Sequence, residues 1–274
     1  MEIKENIYRP FKATVSEIRK LSSGVRLFKV LPEKEVHYLP GQFFMLGLWG
    51  AGEVPVSVCS AESLQPYLEF GIRKVGKVTG ALHKLKPGDT LWMRGPLGNA
   101  FDIRIAEKRD IIFIAGGIGI LPLRALINFL LRDLSKFGKP FLLYGARSPS
   151  DLLFLDEISK WKDKGLEVIL TVDRGDGSWT DNTGLVTEHI DKIKTDFKTA
   201  CAYICGPEIM MKNTIKKLSL MGMPDTFITL SLERRMKCGI GKCGQCYYGI
   251  EYICINGPVY TCEDIKRRLS VDSL

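Results

Sequence analysis

The first hundred residues carry short runs of apolar residues broken by polar ones. FKATVSEI, VRLFKVL, QFFMLGLW, VPVSVCS, YLEFGIRKV and TLWMRG are rich in β-branched and aromatic residues, and SSG, LPGQ, WGAGE and KPGD separate them as turns. Six short strands at this spacing predict an antiparallel barrel or sandwich. Only KVTGALHKL reads as helical in this region. The pattern changes near Asp102. DIIFIAG is continuously apolar, as a strand buried on both faces requires, and ILPLRALINFLLRDL after it has helical periodicity. PFLLYGA, LEVILTV and ACAYICG predict further strands. DLLFLDEISKWKDKG, LVTEHIDKI and PEIMMKNTIKKLSLMG predict helices between and after them, and FITLSLE is a candidate last strand. Strands alternating with helices predict a parallel sheet with helical crossovers. The expected divisions are an antiparallel β-barrel over residues 1–101, an α/β parallel-sheet domain over 102–228 and a small C-terminal module over 229–274.

Composition narrows the setting. A chain of 274 residues has room for two domains and a small module. No run of about 18 apolar residues occurs, so no membrane insertion is expected. MEIKENIYRPFK lacks the apolar core of a signal peptide, so the expected location is cytoplasmic, where thiols stay reduced. The formal net charge is +8, but the lysines and arginines are scattered and form no basic tail. Nucleic acid is therefore not an expected partner. The excess charge suits anionic cofactors or an acidic partner surface.

Five of the eight cysteines crowd one glycine-rich stretch, RMKCGIGKCGQCYYGIEYICINGPVYTC. Cys238, Cys243, Cys246 and Cys254 have the spacing C-x4-C-x2-C-x7-C. Three close thiolates with a fourth further on are the plant-type spacing for a [2Fe-2S] cluster. Gly239, Gly241 and Gly244 let such a loop curl inward, and its amides can hydrogen-bond the cluster sulfurs. YYGIEYICING reads as a hairpin that presents the fourth thiol. The alternative is a structural zinc site, which usually takes its thiolates as two close pairs. Cys262 competes with Cys254 for the fourth position, although its distance from the loop favours Cys254. Cys59 and Cys201 read as buried small residues.

Two glycine turns sit at strand ends. IIFIAGGIGILPLRAL places Gly116, Gly117 and Gly119 between a buried strand and a helix, where amides can approach a pyrophosphate. It lacks the G-x-G-x-x-G fingerprint, and a tight turn without a ligand is the alternative. YICGPEIM repeats the arrangement with Cys205, Gly206 and Pro207 at a strand's carboxyl end, where open α/β sheets bind ligands. In the β-rich region, Arg73 offers a fixed charge, and Gly76 to Thr79 opens a short helix able to hold a phosphate. A solvated arginine and a plain helix cap are the alternative.

Taken together, GEVPVSV, IRKVGKVTGAL, IAGGIGILPLRAL, CGPEIMM and ERRMKCGIGKCGQC resemble, in family order, the ferredoxin–NADP reductase superfamily. More narrowly they resemble its iron–sulfur flavoprotein electron-transfer subunits. Those include the sulfhydrogenase gamma, anaerobic sulfite reductase B and dihydroorotate dehydrogenase electron-transfer subunits. The EVPVSV form and the seven-residue gap before Cys254 are most similar to the first two groups. The resemblance covers nearly the whole chain. It implies FAD in the barrel, with Pro55, Val56 and Ser57 against the isoalloxazine and Arg73, Gly76, Val78 and Thr79 at the pyrophosphate. It implies NAD(P)H at Gly116, Gly117, Gly119, Cys205, Gly206 and Pro207, and a [2Fe-2S] cluster on Cys238, Cys243, Cys246 and Cys254. It further implies catalytic roles for Ser57 near flavin N5 and Cys205 beside the nicotinamide. Glu233 is a weaker candidate for that region, with a surface ion pair as the alternative. Val54, Val56 and Ser57 occupy the superfamily's Arg-x-Tyr-Ser pattern, so the stacking tyrosine is absent.

A flavin exchanges electrons singly or in pairs, so it belongs between a hydride donor and a one-electron cluster. The leading expectation is an electron-transfer subunit of a larger redox complex. It would pass electrons between NAD(P)H and iron–sulfur clusters of partner subunits, serving a soluble hydrogenase, a sulfhydrogenase or a sulfite reductase. The rivals are a free-standing NAD(P)H:ferredoxin or flavin reductase and a zinc-stabilised binding module without activity. Arg147 or Arg174 would favour NADPH, and Asp151 or Asp173 would favour NADH. The sequence leaves that choice open.

Overall fold

A computed structural model describes residues 6–61 and 66–268. Residues 1–5, part of the stretch read above for a signal peptide, lie outside them. In β1 (Phe11–Lys20), Phe11, Ala13 and Val15 are buried and the residues between them exposed. A bulge after Val15 shifts the register against β2 (Val25–Pro32). With β3 (Phe43–Leu48), β4 (Gly52–Ser57), β5 (Leu68–Arg73) and β6 (Thr90–Leu97), these form one antiparallel sheet. Its order is β4-β3-β6-β1-β2-β5. The sheet curls around Phe28, Phe44 and Phe70, all fully buried. Its two ends meet at a bridge between Val58 and Phe70 and at the bond from Cys59 N–H to Glu69 O (2.9 Å). Beyond that closure, Pro55–Ser57 and Gly71–Arg73 are not paired with each other, which leaves a slot in the barrel wall. The short helix α1 (Lys77–Leu82) follows β5 and buries Leu82.

The second unit is built from β7 (Ile111–Gly116), α2 (Ile120–Leu130), β8 (Pro140–Ala146), α3 (Leu155–Asp163) and β9 (Glu167–Val172). It continues through β10 (Asn182–Thr183), β11 (Cys201–Cys205), α4 (Glu208–Leu220) and β12 (Ile228–Ser231). Every residue of β7, β8 and β11 is buried, as their unbroken apolar runs require. These strands pair in parallel. The segment predicted as a helix at LVTEHIDKI is instead a 3-10 helix over Val186–Lys192. Glu188 N–H bonds Leu185 O (2.9 Å) while the Glu188 carboxylate accepts from Leu185 N–H (3.0 Å), which tightens the turn to three residues.

After β12 the chain leaves the sheet, forms the hairpin β13 (Tyr247–Tyr248) and β14 (Glu251–Tyr252) and the single turn α5 (Ile253–Asn256), and then returns. The returning strand β15 (Val259–Thr261) pairs antiparallel with β12, and α6 (Cys262–Arg268) follows. The full order is β10-β9-β8-β7-β11-β12-β15. The expected division at residue 229 thus falls inside β12, and the thiol-rich segment is an excursion between two strands of one sheet. Among the described residues no helix is long and apolar enough to cross a membrane.

Barrel and sheet are joined tightly. A Cβ on Gly71 of β5 would lie 2.1 Å from the Leu121 side chain of α2, so only glycine permits that approach. Beside it Arg124 of α2 is buried and reaches Glu69 of β5 (2.7 Å), Glu157 of α3 (2.6 Å) and Cys59 O (2.8 Å).

Candidate redox site

The α/β sheet reverses its strand order between β7 and β11, where open α/β sheets form a crevice at their carboxyl ends. A cleft of about 660 Å³ lies there. Gly116, Gly117, Gly119, Gly206 and Pro207 line it, together with Arg73 from the barrel. The two glycine turns lock together. A Cβ on Gly119 would stand 2.2 Å from Cys205 O, and one on Gly206 would stand 3.1 Å from Gly116 Cα. Gly117 has φ +55°, and its carbonyl accepts from the Tyr144 hydroxyl (3.2 Å), which also accepts from Leu153 N–H (3.0 Å). Sequence reasoning missed this buried tyrosine. Its only signal is a phenol within the otherwise apolar run PFLLYGA.

Cys205 is fully buried at the end of β11, beneath the turn. Burial, reinforced by the charge of Glu233, pushes its thiol up, against a bond with Ser231. Glu233 opens onto the cleft yet is hemmed in by protein, which raises its carboxyl above the ordinary range, while Arg73 pulls it down. Arg147, Asp151 and Asp173 also line the cleft, so both charge signs face it.

The barrel slot brings the other predicted residues together. Pro55, Val56 and Ser57 lie on β4, half-buried, with Ser57 opposite Phe43. Arg73 ends β5 on the far side of the slot. The loop from Val75 into α1 is wound around one hydroxyl. Thr79 Oγ1 accepts from Val75 N–H (3.0 Å) and Gly76 N–H (2.9 Å) and donates to Gly76 O (3.2 Å). Thr79 therefore shapes the loop rather than leaving its hydroxyl free, and Val78 reaches within 3.6 Å of where a Cβ on Gly52 would stand.

In the thiol segment Gly239, Gly241 and Gly244 all have φ near +72°, a conformation that favours glycine, and the chain winds around sulfur. Cys238 Sγ accepts from Ile240 N–H (3.5 Å), Lys242 N–H (3.3 Å) and Cys243 N–H (3.4 Å). Cys254 Sγ accepts from Gly241 N–H (3.1 Å). Burial opposes ionisation of Cys238, but these amides and the Cys243 thiol outweigh it and bring the thiol down to about 6. Cys254 is pushed up to about 12 by burial and by neighbouring Cys246. Cys243 neighbours Cys238, and Cys254 feels both Cys246 and Cys238. The canopy of backbone amides aimed at Cys238 and Cys254 sulfur suits an iron–sulfur cluster, whose negative charge such donors stabilise. Cys262 is buried at the start of α6, beside Asp225 and Lys266.

The barrel also grips this segment, through residues that sequence reasoning missed. Asn99 N–H donates to Gly257 O (2.7 Å), its side-chain amide donates to Val259 O (2.7 Å), and its side-chain oxygen accepts from Val259 N–H (2.9 Å). Arg94 of β6 reaches Cys238 O (2.9 Å). A charge among the buried positions of TLWMRG was the one available signal, and its partners lie too far along the chain for spacing to reveal them.

Barrel slot, sheet-end cleft and thiol centre together define an oxidoreductase built for a flavin, a nicotinamide dinucleotide and an iron–sulfur cluster. Residues 12–101 match the oxidoreductase FAD-binding domain and 113–216 the oxidoreductase NAD-binding domain. Residues 233–266 match the iron–sulfur cluster binding domain of dihydroorotate dehydrogenase B. The sulfhydrogenase 1 gamma subunit of Pyrococcus furiosus is 38% identical, over 95% of this chain and 94% of its own. The sulfhydrogenase 2 gamma subunit of the same organism is 36% identical, over 94% and 97%. A probable dihydroorotate dehydrogenase B electron transfer subunit of Pyrococcus abyssi is 36% identical, over 93% and 91%. Among solved structures, a chain of the electron-bifurcating NADH-dependent reduced ferredoxin–NADP oxidoreductase matches with TM-score 0.75 and 26% identity, over 94% of this chain and 92% of that one. The chain belongs to the iron–sulfur flavoprotein electron-transfer subunits of the ferredoxin–NADP reductase superfamily.

Proposed function

We propose that this chain is the electron-transfer subunit of a cytoplasmic multi-subunit redox complex, exchanging electrons between NAD(P)H and iron–sulfur clusters of its partners. The observation that carries this is contiguity. The sheet-end cleft shares Arg73 with the barrel slot, and the barrel strand β6 grips the thiol centre. When bound, the nicotinamide would supply two electrons as a hydride, the flavin would exchange electrons in pairs or singly, and the cluster would exchange single electrons.

The residues divide this work. Gly116, Gly117, Gly119, Gly206 and Pro207 line the cleft and would border the dinucleotide, and the close packing of the two turns needs glycine at 116, 119 and 206. Glu233 borders the nicotinamide end, with Cys205 buried beneath the turn behind it. Pro55, Val56 and Ser57 offer half-buried strand to the isoalloxazine, with Ser57 the hydrogen-bonding group for its reacting edge. Arg73 and the loop of Gly76, Val78 and Thr79 face the pyrophosphate. Cys238, Cys243, Cys246 and Cys254 hold a [2Fe-2S] cluster. The units are the barrel at 1–101, the nucleotide domain at 102–228 and the cluster module at 229–274, the last two sharing one sheet through β12, which the division cuts, and β15.

Similarity to two sulfhydrogenase gamma subunits supports a hydrogenase-type or sulfur-reducing partner. Purification of the tagged chain from its native host tests the assembly. A stoichiometric iron–sulfur partner is expected; a chain that purifies alone and reduces free ferredoxin or flavin would make it a free-standing reductase.

A further inference from the structure

Arg94 occupies a position where a cation is costly. Its side chain is only 7% exposed, and an arginine stays charged in proteins. The whole guanidinium is engaged. Nε and Nη2 form a two-point pair with Glu53 of β4 (3.0 and 2.7 Å). Nη2 also donates to Cys238 O (2.9 Å), and Nη1 to Ile7 O (3.3 Å). Glu53 reaches Arg94 by crossing β3 at Gly47, where a Cβ would lie 2.9 Å from Glu53 Cγ. Beside this pair the cluster loop rests directly on the barrel. A Cβ on Gly239 would stand 2.9 Å from Leu97 Cδ1 and 3.0 Å from Met45 Cγ. One guanidinium thus joins β4, which carries Pro55, Val56 and Ser57, to the carbonyl of the first cluster thiol residue. The loop's own cations, Lys237 and Lys242, are exposed and screened by solvent, whereas Arg94 is not.

We propose that Arg94 is a positioning residue that fixes the cluster loop against the flavin-side strand, and that its buried charge raises the cluster's reduction potential. The inference rests on the iron–sulfur reading of the thiol centre. Reduction adds one negative charge to the cluster. A cation held beside a ligand in a poorly screened site favours that state, and the partly exposed Glu53 carboxylate opposes it.

The test is an anaerobic potentiometric titration of the full chain with dithionite, following the cluster by electron paramagnetic resonance and the flavin by absorbance. Arg94→Gln removes the cation and leaves Glu53 unpaired. It is expected to shift the cluster's reduced-to-oxidised ratio about tenfold toward oxidised at a given potential, ~59 mV for one electron. Glu53→Gln is expected to shift it the opposite way, by less. The double variant is expected to lie between Arg94→Gln and the wild type. Flavin potentials should move little in all three. Opposite signs and partial rescue are not produced by a structural role alone. Iron loss in either single variant with an unmoved potential in the clusters that remain would overturn the inference, as would shifts of the same sign. If Arg94→Gln fails to fold, Glu53→Gln alone decides by the direction of its shift. A wild-type chain without any cluster resonance would overturn the iron–sulfur reading itself.

Discussion

Cys254 and Cys262 are both buried, but only Cys254 receives a loop amide on its sulfur. Serine at each position should separate them. Cys254→Ser is expected to lose the cluster, whereas Cys262→Ser should keep wild-type iron content and visible spectrum; matched iron and absorbance assays check both. In the nucleotide cleft, Gly119→Ala would press a methyl group onto Cys205 O and pry the two turns apart. The KM for the nucleotide is expected to rise about tenfold or more, with the flavin spectrum unchanged, since the lost approach is local to that turn. At this scale the sequence was legible where spacing alone brings groups together, as in the C-x4-C-x2-C loop. It was opaque where contact depends on the fold. Arg94 meets Glu53 across 41 residues, and Asn99 meets Val259 across 160. Arg94 shows only as a charge among buried positions, and nothing in the local pattern marks the partners of either residue.

Among the elements, the buried parallel strands were the most readable, because a strand covered on both faces must be apolar throughout. β15 was not. Val259, Tyr260 and Thr261 favour strands, but three residues after a glycine and a proline are too short a run to predict one, and pairing with β12 creates the strand. The contact between α2 and the barrel was equally hidden, since Arg124 sits in a periodic helix and its carboxylate partners come from two other elements. Arg124→Ala would leave Glu69 and Glu157 without their buried cation. A loss of about 3–5 kcal/mol is expected, read by chemical denaturation. The adjoining pair of Arg19 and Asp156 (2.7 Å) has a pH signature. Burial pushes the Asp156 carboxyl up, but Arg19 outweighs it and holds the group below its ordinary value. Its contribution is therefore full above the unfolded carboxylate range, near pH 4, and is lost as pH falls through the lower folded value. Removing it with Asp156→Asn should abolish that part of the acid sensitivity in pH-dependent unfolding.

For the whole molecule, the order of the three sites matters more than any one of them. The barrel touches both other sites: it shares Arg73 with the nucleotide cleft and holds the thiol segment through Arg94 and Asn99. The proposed path from dinucleotide to flavin to cluster uses those contacts. Anaerobic addition of NADH or NADPH to the pure chain, followed by absorbance and by electron paramagnetic resonance of the frozen sample, tests it most directly. One of the two nucleotides is expected to bleach the flavin and then produce a reduced [2Fe-2S] resonance, with about two irons per chain by assay. Flavin bleaching with no cluster signal, in a chain whose cluster dithionite does reduce, would contradict the path. So would a colourless chain that holds zinc.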